Sequence, residues 1–180
     1  MRLVKVISLF SMMLLALAGC AQTGFGSHGS VSANNFIQAN YKAAESLQVQ
    51  LASRATGNAT LLVATLVNID ALDRSSTLGR LVSEQVSARF TQGGYQMIEM
   101  KFQNSVYMAR GQGELMLTRQ VHELANAHSA EAVIVGTYGA SKDYVLINLK
   151  VVEPATNQVL AVQDYSLPID ENVRMMLRNR

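Results

Sequence analysis

The residues of this chain whose types could hold a metal are few. His122 and Glu123 stand side by side, like the first two residues of the helical zinc-protease motif. That motif needs a second histidine four residues after the first, where this chain has Asn126. His128 comes six residues after His122, which is about 120° around a helix, so the two rings cannot face one metal. We therefore predict no metal site and expect both histidines at the core edge or surface.

The signals for other chemistry are equally weak. Gly111 and Gly113 precede a predicted helix, where a Gly-x-Gly turn can bind phosphate. No third glycine or lysine follows, however, and Glu114 would repel an anion. The serines have no histidine nearby in sequence, and the carboxylates form no recognisable acid-base pair. We predict no cofactor and no enzymatic activity, and an envelope hydrolase would need a catalytic cluster assembled by the fold.

The clearest chemistry belongs to Cys20, the only cysteine of the chain. It ends the sequence Leu17-Ala18-Gly19-Cys20, which follows two basic residues and an apolar run from Val6 to Leu17. That run is too short to span a bilayer and is typical of a signal peptide. The ending resembles the bacterial lipobox, in which the thiol after the cut receives a diacylglyceryl group. We therefore predict a signal peptide over residues 1–19 and a lipidated, palmitate-bearing Cys20.

The lipobox resemblance implies a particular membrane as well as a lipid anchor. Two acyl chains already hold a protein stably on a membrane. Ala21 follows the cysteine, where an aspartate retains many Gram-negative lipoproteins in the inner membrane. We therefore expect the outer membrane, with the protein facing the periplasm, although exposure on the cell surface stays open. A lipidated Cys20 also leaves no thiol for a disulfide within the chain.

Charge gives no support to nucleic-acid binding. The 15 basic and 13 acidic residues include Arg2 and Lys5 of the predicted signal peptide. Removal of that peptide leaves equal numbers of basic and acidic residues, so the mature chain has no net positive charge. We predict no nucleic-acid partner.

The first half of the mature chain is predicted to contain a flexible tether, a helix and then a strand-helix-strand unit. Residues 20–34 are rich in Gly and Ser and are predicted to be flexible, and residues 35–56 have helical periodicity. Thr60 to Asp70 is a nearly continuous apolar run, typical of one strand that is buried on both faces. A helix follows, with a capping residue among Asp73, Ser75 and Ser76 and a stop at Gly93-Gly94. Its predicted apolar face contains Leu78, Leu81, Val82, Val86 and Phe90.

The second half supplies a helix and three strands. The helix is predicted to place Leu117, Val121, Leu124, Ala125 and His128 on one face. Strands are predicted over Ala132–Tyr138, Tyr144–Val152 and Gln158–Tyr165, the last two as a hairpin. The fold class is α/β, a single domain over residues 57–168 with a mixed sheet of about five strands and packed helices. The C-terminal tail, residues 169–180, is predicted to contain a short helix with Val173, Met176 and Leu177 on one side.

The central helix carries the candidate interface residues Gly79, Arg80 and Glu84. Arg80 and Glu84 are one turn apart and could form a surface ion pair worth a few tenths of a kcal/mol. A glycine inside a helix costs about 1 kcal/mol relative to alanine. Gly79 therefore indicates that something packs close to the backbone, either another segment of the domain or another subunit.

Five short motifs together resemble one known family. They are Ser76-x-Leu78-Gly79-Arg80 with Glu84-Gln85, Gly94-Tyr95, Ile98-Glu99, Gly113-Glu114-x-x-Leu117-x-Arg119 and Gly136-Thr137-Tyr138. In this order and spacing, between Thr60 and Pro168, they resemble the FlgO family of flagellar outer-membrane lipoproteins. The lipobox at Cys20 agrees with that resemblance.

The resemblance implies a non-enzymatic protein of the polar flagellum that is needed for motility. It implies association with the outer-membrane H ring or basal disk, together with FlgP-type and FlgT-type proteins, and a possible homo-oligomeric ring. It also implies an α/β domain similar to those of periplasmic lipoproteins that activate cell-wall synthases. The alternative function is therefore a binding module that regulates such a synthase, although the short tether argues against it.

Overall fold

The computed structural model describes residues 28–54, 59–99 and 119–178, with side chains from residue 33 onward except at 99, 119 and 120. The chain divides into two units, Met1–Ser32 and Ala33–Arg180, and the second is described below. Its helices are α1 (His28–Ala52, which begins before the boundary), α2 (Thr77–Gln92), α3 (Arg119–Ala127) and α4 (Glu171–Leu177). Its strands are β1 (Thr60–Val63), β2 (Val67–Asn68), β3 (Gln96–Glu99), β4 (Ala132–Ala140), β5 (Tyr144–Val152) and β6 (Val159–Pro168).

The strands form one mixed sheet in the order β3-β1-β4-β5-β6, with β2 also paired to β4. The pairs of β1 with β3, β1 with β4 and β2 with β4 are parallel. The pairs of β4 with β5 and β5 with β6 are antiparallel. The α/β class and the mixed sheet predicted from the sequence are confirmed, and the β5-β6 pair is the predicted hairpin.

The apolar run from Thr60 to Asp70 is not the single strand that we predicted. It is divided into β1 and β2, which lie one after the other along the same neighbour, β4. Residues 64–66 between them leave the strand conformation. Burial on both faces is confirmed, because Leu61 and Val63 join one apolar cluster and Leu62 joins the other.

The larger apolar cluster lies on the side of the sheet that carries α1, α2 and α4. Leu47 and Leu51 of α1 and Phe90 of α2 are completely buried there. The alternation predicted for β5 is confirmed, since its inward side chains all belong to this cluster: Val145, Ile147, Leu149 and Val151. The C-terminal helix also contributes Val173, so the predicted tail is part of the domain core.

The opposite side of the sheet is covered by α3 over part of its length. Val121 and Ala125 of α3 pack in the smaller cluster with Val133, Val135 and Val152. His128 does not share that face as we predicted, because α3 ends at Ala127 and His128 is exposed. Beyond Val135 the strands present two cross-strand rows on this side: Thr137, Asn148 and Asp164, then Gly139, Leu146 and Ser166.

Several predicted boundaries differ from those in the structure. Helix α1 begins at His28, inside the predicted tether, and ends at Ala52 rather than at residue 56. Strand β6 continues to Pro168, three residues beyond the predicted end. The signal peptide, Cys20, the Gly111-Gln112-Gly113 turn, Leu117 and Arg180 lie outside the described residues.

Candidate functional site

The break between β1 and β2 is held by two serines of the α2 region. The Ser83 hydroxyl accepts the Leu66 N–H at 2.8 Å and donates toward the carbonyls of Gly79 and Ala64 at 3.0 and 3.2 Å. The Ser75 hydroxyl donates to the Leu66 carbonyl at 2.6 Å. Both backbone groups of Leu66 are therefore satisfied by side chains where the strand ladder is interrupted.

Two glycines allow the backbone to approach at the same place. A Cβ on Gly79 would lie 2.5 Å from the Leu66 carbonyl oxygen and 2.9 Å from Cε1 of Tyr138. A Cβ on Gly136 would lie 2.8 Å from Cγ of Leu66. Of the two alternatives for Gly79, the structure shows the first, since the close neighbours belong to the same chain. The motifs around Gly79 and around Gly136-Thr137-Tyr138 meet at Leu66.

Arg80 and Glu84 lie next to this junction and point outward. Both side chains are exposed on α2, and Arg80 contacts the Thr77 hydroxyl at 3.3 Å. Among the described residues, no ion pair joins Arg80 to Glu84. The two charges are thus available to a partner, and their role as an interface stays a prediction.

A buried polar cluster attaches α1 to α2 and to β6. The Asn40 side chain is completely buried; it donates to Oε1 of Gln85 at 2.6 Å and accepts from the Tyr165 hydroxyl at 2.5 Å. Burial raises the pKa of the Tyr165 hydroxyl well above its usual value. Gln85, one of the motif residues, therefore has a structural partner inside the domain.

A second contact between the same helices lies closer to the surface. Arg89 of α2 pairs with Glu45 of α1 at 2.6 Å and lies over the Tyr41 ring at 5.9 Å from its centroid. The Gln48 amide donates to the Arg89 carbonyl at 3.0 Å. Because these groups are partly exposed, they orient α1 on α2 more than they stabilise it.

An open groove lies on the part of the sheet that α3 leaves uncovered. It has a volume of about 470 Å³ and is lined by both cross-strand rows and by Ile69. Ile69 and Leu146 are 55% and 57% exposed, so its walls are apolar and reach solvent. Asp164 accepts from the Asn148 amide at 2.7 Å on its polar side. Arg80, Glu84 and this groove are the surfaces on which a docking role can be tested.

Those residues considered for chemistry that the structure describes do not come together. His122 is half-buried on α3, and His128 is exposed after it. Within the described part of the chain, no group of three His, Cys, Asp or Glu side chains could hold a metal ion. Among the described helices, none is long and apolar enough to cross a membrane. Burial raises the pKa of Tyr95 as well as that of Tyr165.

The fold and these surfaces define a class: a mixed α/β domain that offers exposed charges and an open sheet face. The model of the family described as FlgO protein matches residues 41–172. This chain belongs to the FlgO family, a family of flagellar outer-membrane lipoproteins. The match begins within α1 and ends within α4, so it extends beyond the motifs at both ends.

Several solved structures are similar to the domain, and the first of those below supports the fold. The C-terminal domain of LpoB from Salmonella enterica is similar with a TM-score of 0.52 and 13% identity, over 69% of this chain and 94% of that one. The same domain from Escherichia coli scores 0.46 with 13% identity, over 69% and 96% of the two chains. Lipoprotein GNA1162 from Neisseria meningitidis scores 0.42 with 14% identity, over 63% and 83%. No curated protein matches the sequence significantly.

The sequence gives only a partial signal for the buried polar cluster and none for the groove. Asn40 lies four residues before the buried Ala44 in the predicted helix, so helical spacing places it on the same face, and a polar residue there indicates a buried partner. The groove residues gave no such signal, because alternation along β5 and β6 does not tell whether a helix covers the outer face.

Proposed function

We propose that this chain is a non-enzymatic outer-membrane lipoprotein that supports flagellar assembly and motility as part of the basal-body ring. The observation that carries the proposal is the family match over residues 41–172. The lipobox ending at Cys20 supports it independently. In this proposal the lipid holds the chain on the periplasmic face of the outer membrane, and the α/β domain docks onto ring proteins of the FlgP or FlgT type.

The motif residues fall into two groups, those with contacts inside the domain and those that are exposed. Gly79, Gly136 and Gln85 are used inside the domain, where they contact Leu66 and Asn40. Arg80 and Glu84 remain exposed on the same helix. We therefore assign docking to the Arg80 and Glu84 side chains and a structural role to the other motif residues.

The anchor is tested with a strain that carries only Cys20→Ser. If the proposal holds, the protein leaves the outer-membrane fraction and swimming decreases, while the deletion strain loses motility without general envelope damage. Normal flagella and normal swimming in the deletion strain would contradict the flagellar role. Normal swimming with soluble Cys20→Ser protein would show that the anchor is dispensable.

The alternative function, regulation of a cell-wall synthase, predicts a different set of bound proteins. Its support is limited to the lipobox and the α/β fold. Crosslinking of the wild-type protein in intact cells, followed by capture, should recover flagellar ring proteins under our proposal. Recovery of a cell-wall synthase without ring proteins would favour the alternative.

A further inference from the structure

Strand β6 is an edge strand of the sheet in the described part of the chain, and α1 lies along it. The order β3-β1-β4-β5-β6 leaves one side of β6 without a strand neighbour. Such an edge presents unpaired N–H and C=O groups, which can pair with a strand of another molecule. Native proteins normally protect long edges.

The side chain of Gln50 occupies the position of a neighbouring strand. Its amide nitrogen donates to the Val162 carbonyl at 2.9 Å, and its amide oxygen accepts the Val162 N–H at 3.1 Å. One side chain thus satisfies both outward backbone groups of one β6 residue, as a paired strand would do.

Arg54 extends this protection along the strand. It donates to the Leu160 carbonyl at 2.5 Å. A register shift separates Val159 from Ala161 at the same place, and such bulges also discourage pairing. We call the hydrogen bonds of Gln50 and Arg54 to β6 the edge contacts.

The strand itself carries little protection of its own. Asp164 is the single charged residue between Val159 and Pro168, although edges are commonly protected by several charges. Val159 and Val162 are 47% and 43% exposed, which favours pairing with another apolar strand. Because antiparallel ladders alternate, the backbone groups of Asp164 and Ser166 point to the same side as those of Val162.

We infer that the edge contacts, made by Gln50 of α1 and by Arg54 just after it, keep β6 from pairing with β6 of a second copy of this chain. A second copy fits the edge because antiparallel pairing of two identical strands is self-complementary about a two-fold axis. A register centred on Val162 would place Asp164 opposite Leu160, so no like charges meet. The inference is independent of the proposed flagellar function.

The test compares the full chain with its double variant Gln50→Ala/Arg54→Ala, both in mild detergent. Sedimentation over a wide concentration range measures association, and hydrogen exchange at the Val162 amide measures opening of the edge. We expect roughly 10-fold faster exchange at Val162, the effect of losing about one hydrogen bond. We also expect association that the wild type lacks under the same conditions.

Two further variants locate the effect. Val49→Ala changes an exposed residue next to Gln50 that is 75% accessible, and it should behave as wild type. Asp164→Pro removes the outward backbone donor that would face Leu160 of the second copy in this register, so adding it to the double variant should reduce association. If the double variant does not fold, Gln50→Ala alone serves instead, because it removes both groups that bond to Val162 and keeps Arg54.

Three results would overturn the inference. The first is faster exchange at Val162 without any gain in association, which would show that an open β6 edge does not pair. The second is unchanged exchange at Val162, which would show that α1 does not close the edge. The third is association that persists after Asp164→Pro is added, which would place the contact elsewhere.

Discussion

The hydroxyl of Ser83 accepts the backbone N–H of Leu66 at 2.8 Å, across the interruption between β1 and β2. Ser83 is buried on α2 and lies 17 residues after Leu66 in sequence. A side chain of the helix therefore satisfies the backbone of the segment that separates the two strands. The break in the strand and the position of α2 depend on each other.

Replacing Ser83 by alanine should lower the free energy of unfolding by about 1–3 kcal/mol, because the buried Leu66 N–H loses its acceptor. Urea unfolding measures the change. Ser53→Ala, which removes an exposed hydroxyl bonded to Gln50 at 3.0 Å, serves as the control and should have little effect. Equal stability of Ser83→Ala and wild type would show that water replaces the hydroxyl.

Ser75 bonds to the carbonyl of Leu66, whereas Ser83 bonds to its N–H. The stability effects of replacing the two serines should therefore be coupled. Ser75→Ala removes the donor to the Leu66 carbonyl. The double variant Ser75→Ala/Ser83→Ala should depart from the sum of the single effects by at least about 0.5 kcal/mol, as expected for contacts that share a partner. Strict additivity in a double-mutant cycle would mean that the segment around Leu66 is rigid without them.

Gly79→Ala should destabilise the domain although alanine is the better helix former. Alanine gains about 1 kcal/mol of helix propensity over glycine. Its Cβ, however, would lie 2.5 Å from the Leu66 carbonyl oxygen and 2.7 Å from Oγ of Ser75. Overpacking of this kind costs about 1–3 kcal/mol. The Leu66 backbone cannot move away easily, because Ser75 and Ser83 hold it by hydrogen bonds. We therefore expect a net loss.

Thermal unfolding measures the effect of Gly79→Ala, with Glu84→Ala as the control. Glu84 is exposed on the same helix, and its replacement should change stability by no more than about 0.5 kcal/mol. A Gly79→Ala protein as stable as wild type would mean that α2 can shift away from Leu66 without loss.

The sequence predicted the regular parts of the fold because their signals are local. Strand β5 has the predicted bounds, since its apolar residues alternate with a period of two from Val145 to Val151. The division at Leu66 could not be predicted, because the residues on both sides are apolar and the serines that hold it are distant in sequence. The predicted end of β6 at Tyr165 is three residues too early, and the strand includes Pro168 because an edge strand tolerates proline.

The candidate site was predictable only in part for a similar reason. Exposure of Arg80 and Glu84 could be predicted from helical periodicity, since both residues lie outside the apolar face of α2. The groove depends on how far α3 extends over β4, β5 and β6, and that distance is a property of tertiary packing. Ile69 and Leu146 therefore carried no individual signal.

Stability above pH 10 should fall partly because of Tyr165. The pKa of its hydroxyl is raised in the folded state from the ordinary value of 10.0 by burial. Above pH 10 the unfolded chain therefore releases this proton while the folded chain keeps it, so stability decreases as pH rises. The slope from one such group approaches about 1.4 kcal/mol per pH unit.

Urea unfolding of wild type and Tyr165→Phe at several alkaline pH values tests the Tyr165 prediction. The variant is expected to be less stable at neutral pH, because it no longer donates to Asn40. Its loss of stability above pH 10 should be shallower than that of wild type. Parallel pH profiles would show that Tyr165 ionises in the folded state as easily as in the unfolded chain.

Reversing the charge of Arg80 should reduce swimming without unfolding the domain. Arg80 is exposed and has no ion pair with Glu84 among the described residues, so Arg80→Glu should change stability by no more than about 0.5 kcal/mol. Swimming and ring association should decrease if the charge meets a partner. Lys42→Glu, a reversal at an exposed position of α1, is the matched control and should swim normally.

The exchanged pair Arg80→Glu/Glu84→Arg separates docking from an internal ion pair. If the two charges acted mainly on each other, the exchange would restore swimming, since the attraction between them is retained. Because the structure leaves them apart, we expect the exchanged variant to swim as poorly as Arg80→Glu. Restored swimming would assign the two residues to the stability of α2 and would direct the search for the docking surface to the groove around Ile69 and Leu146.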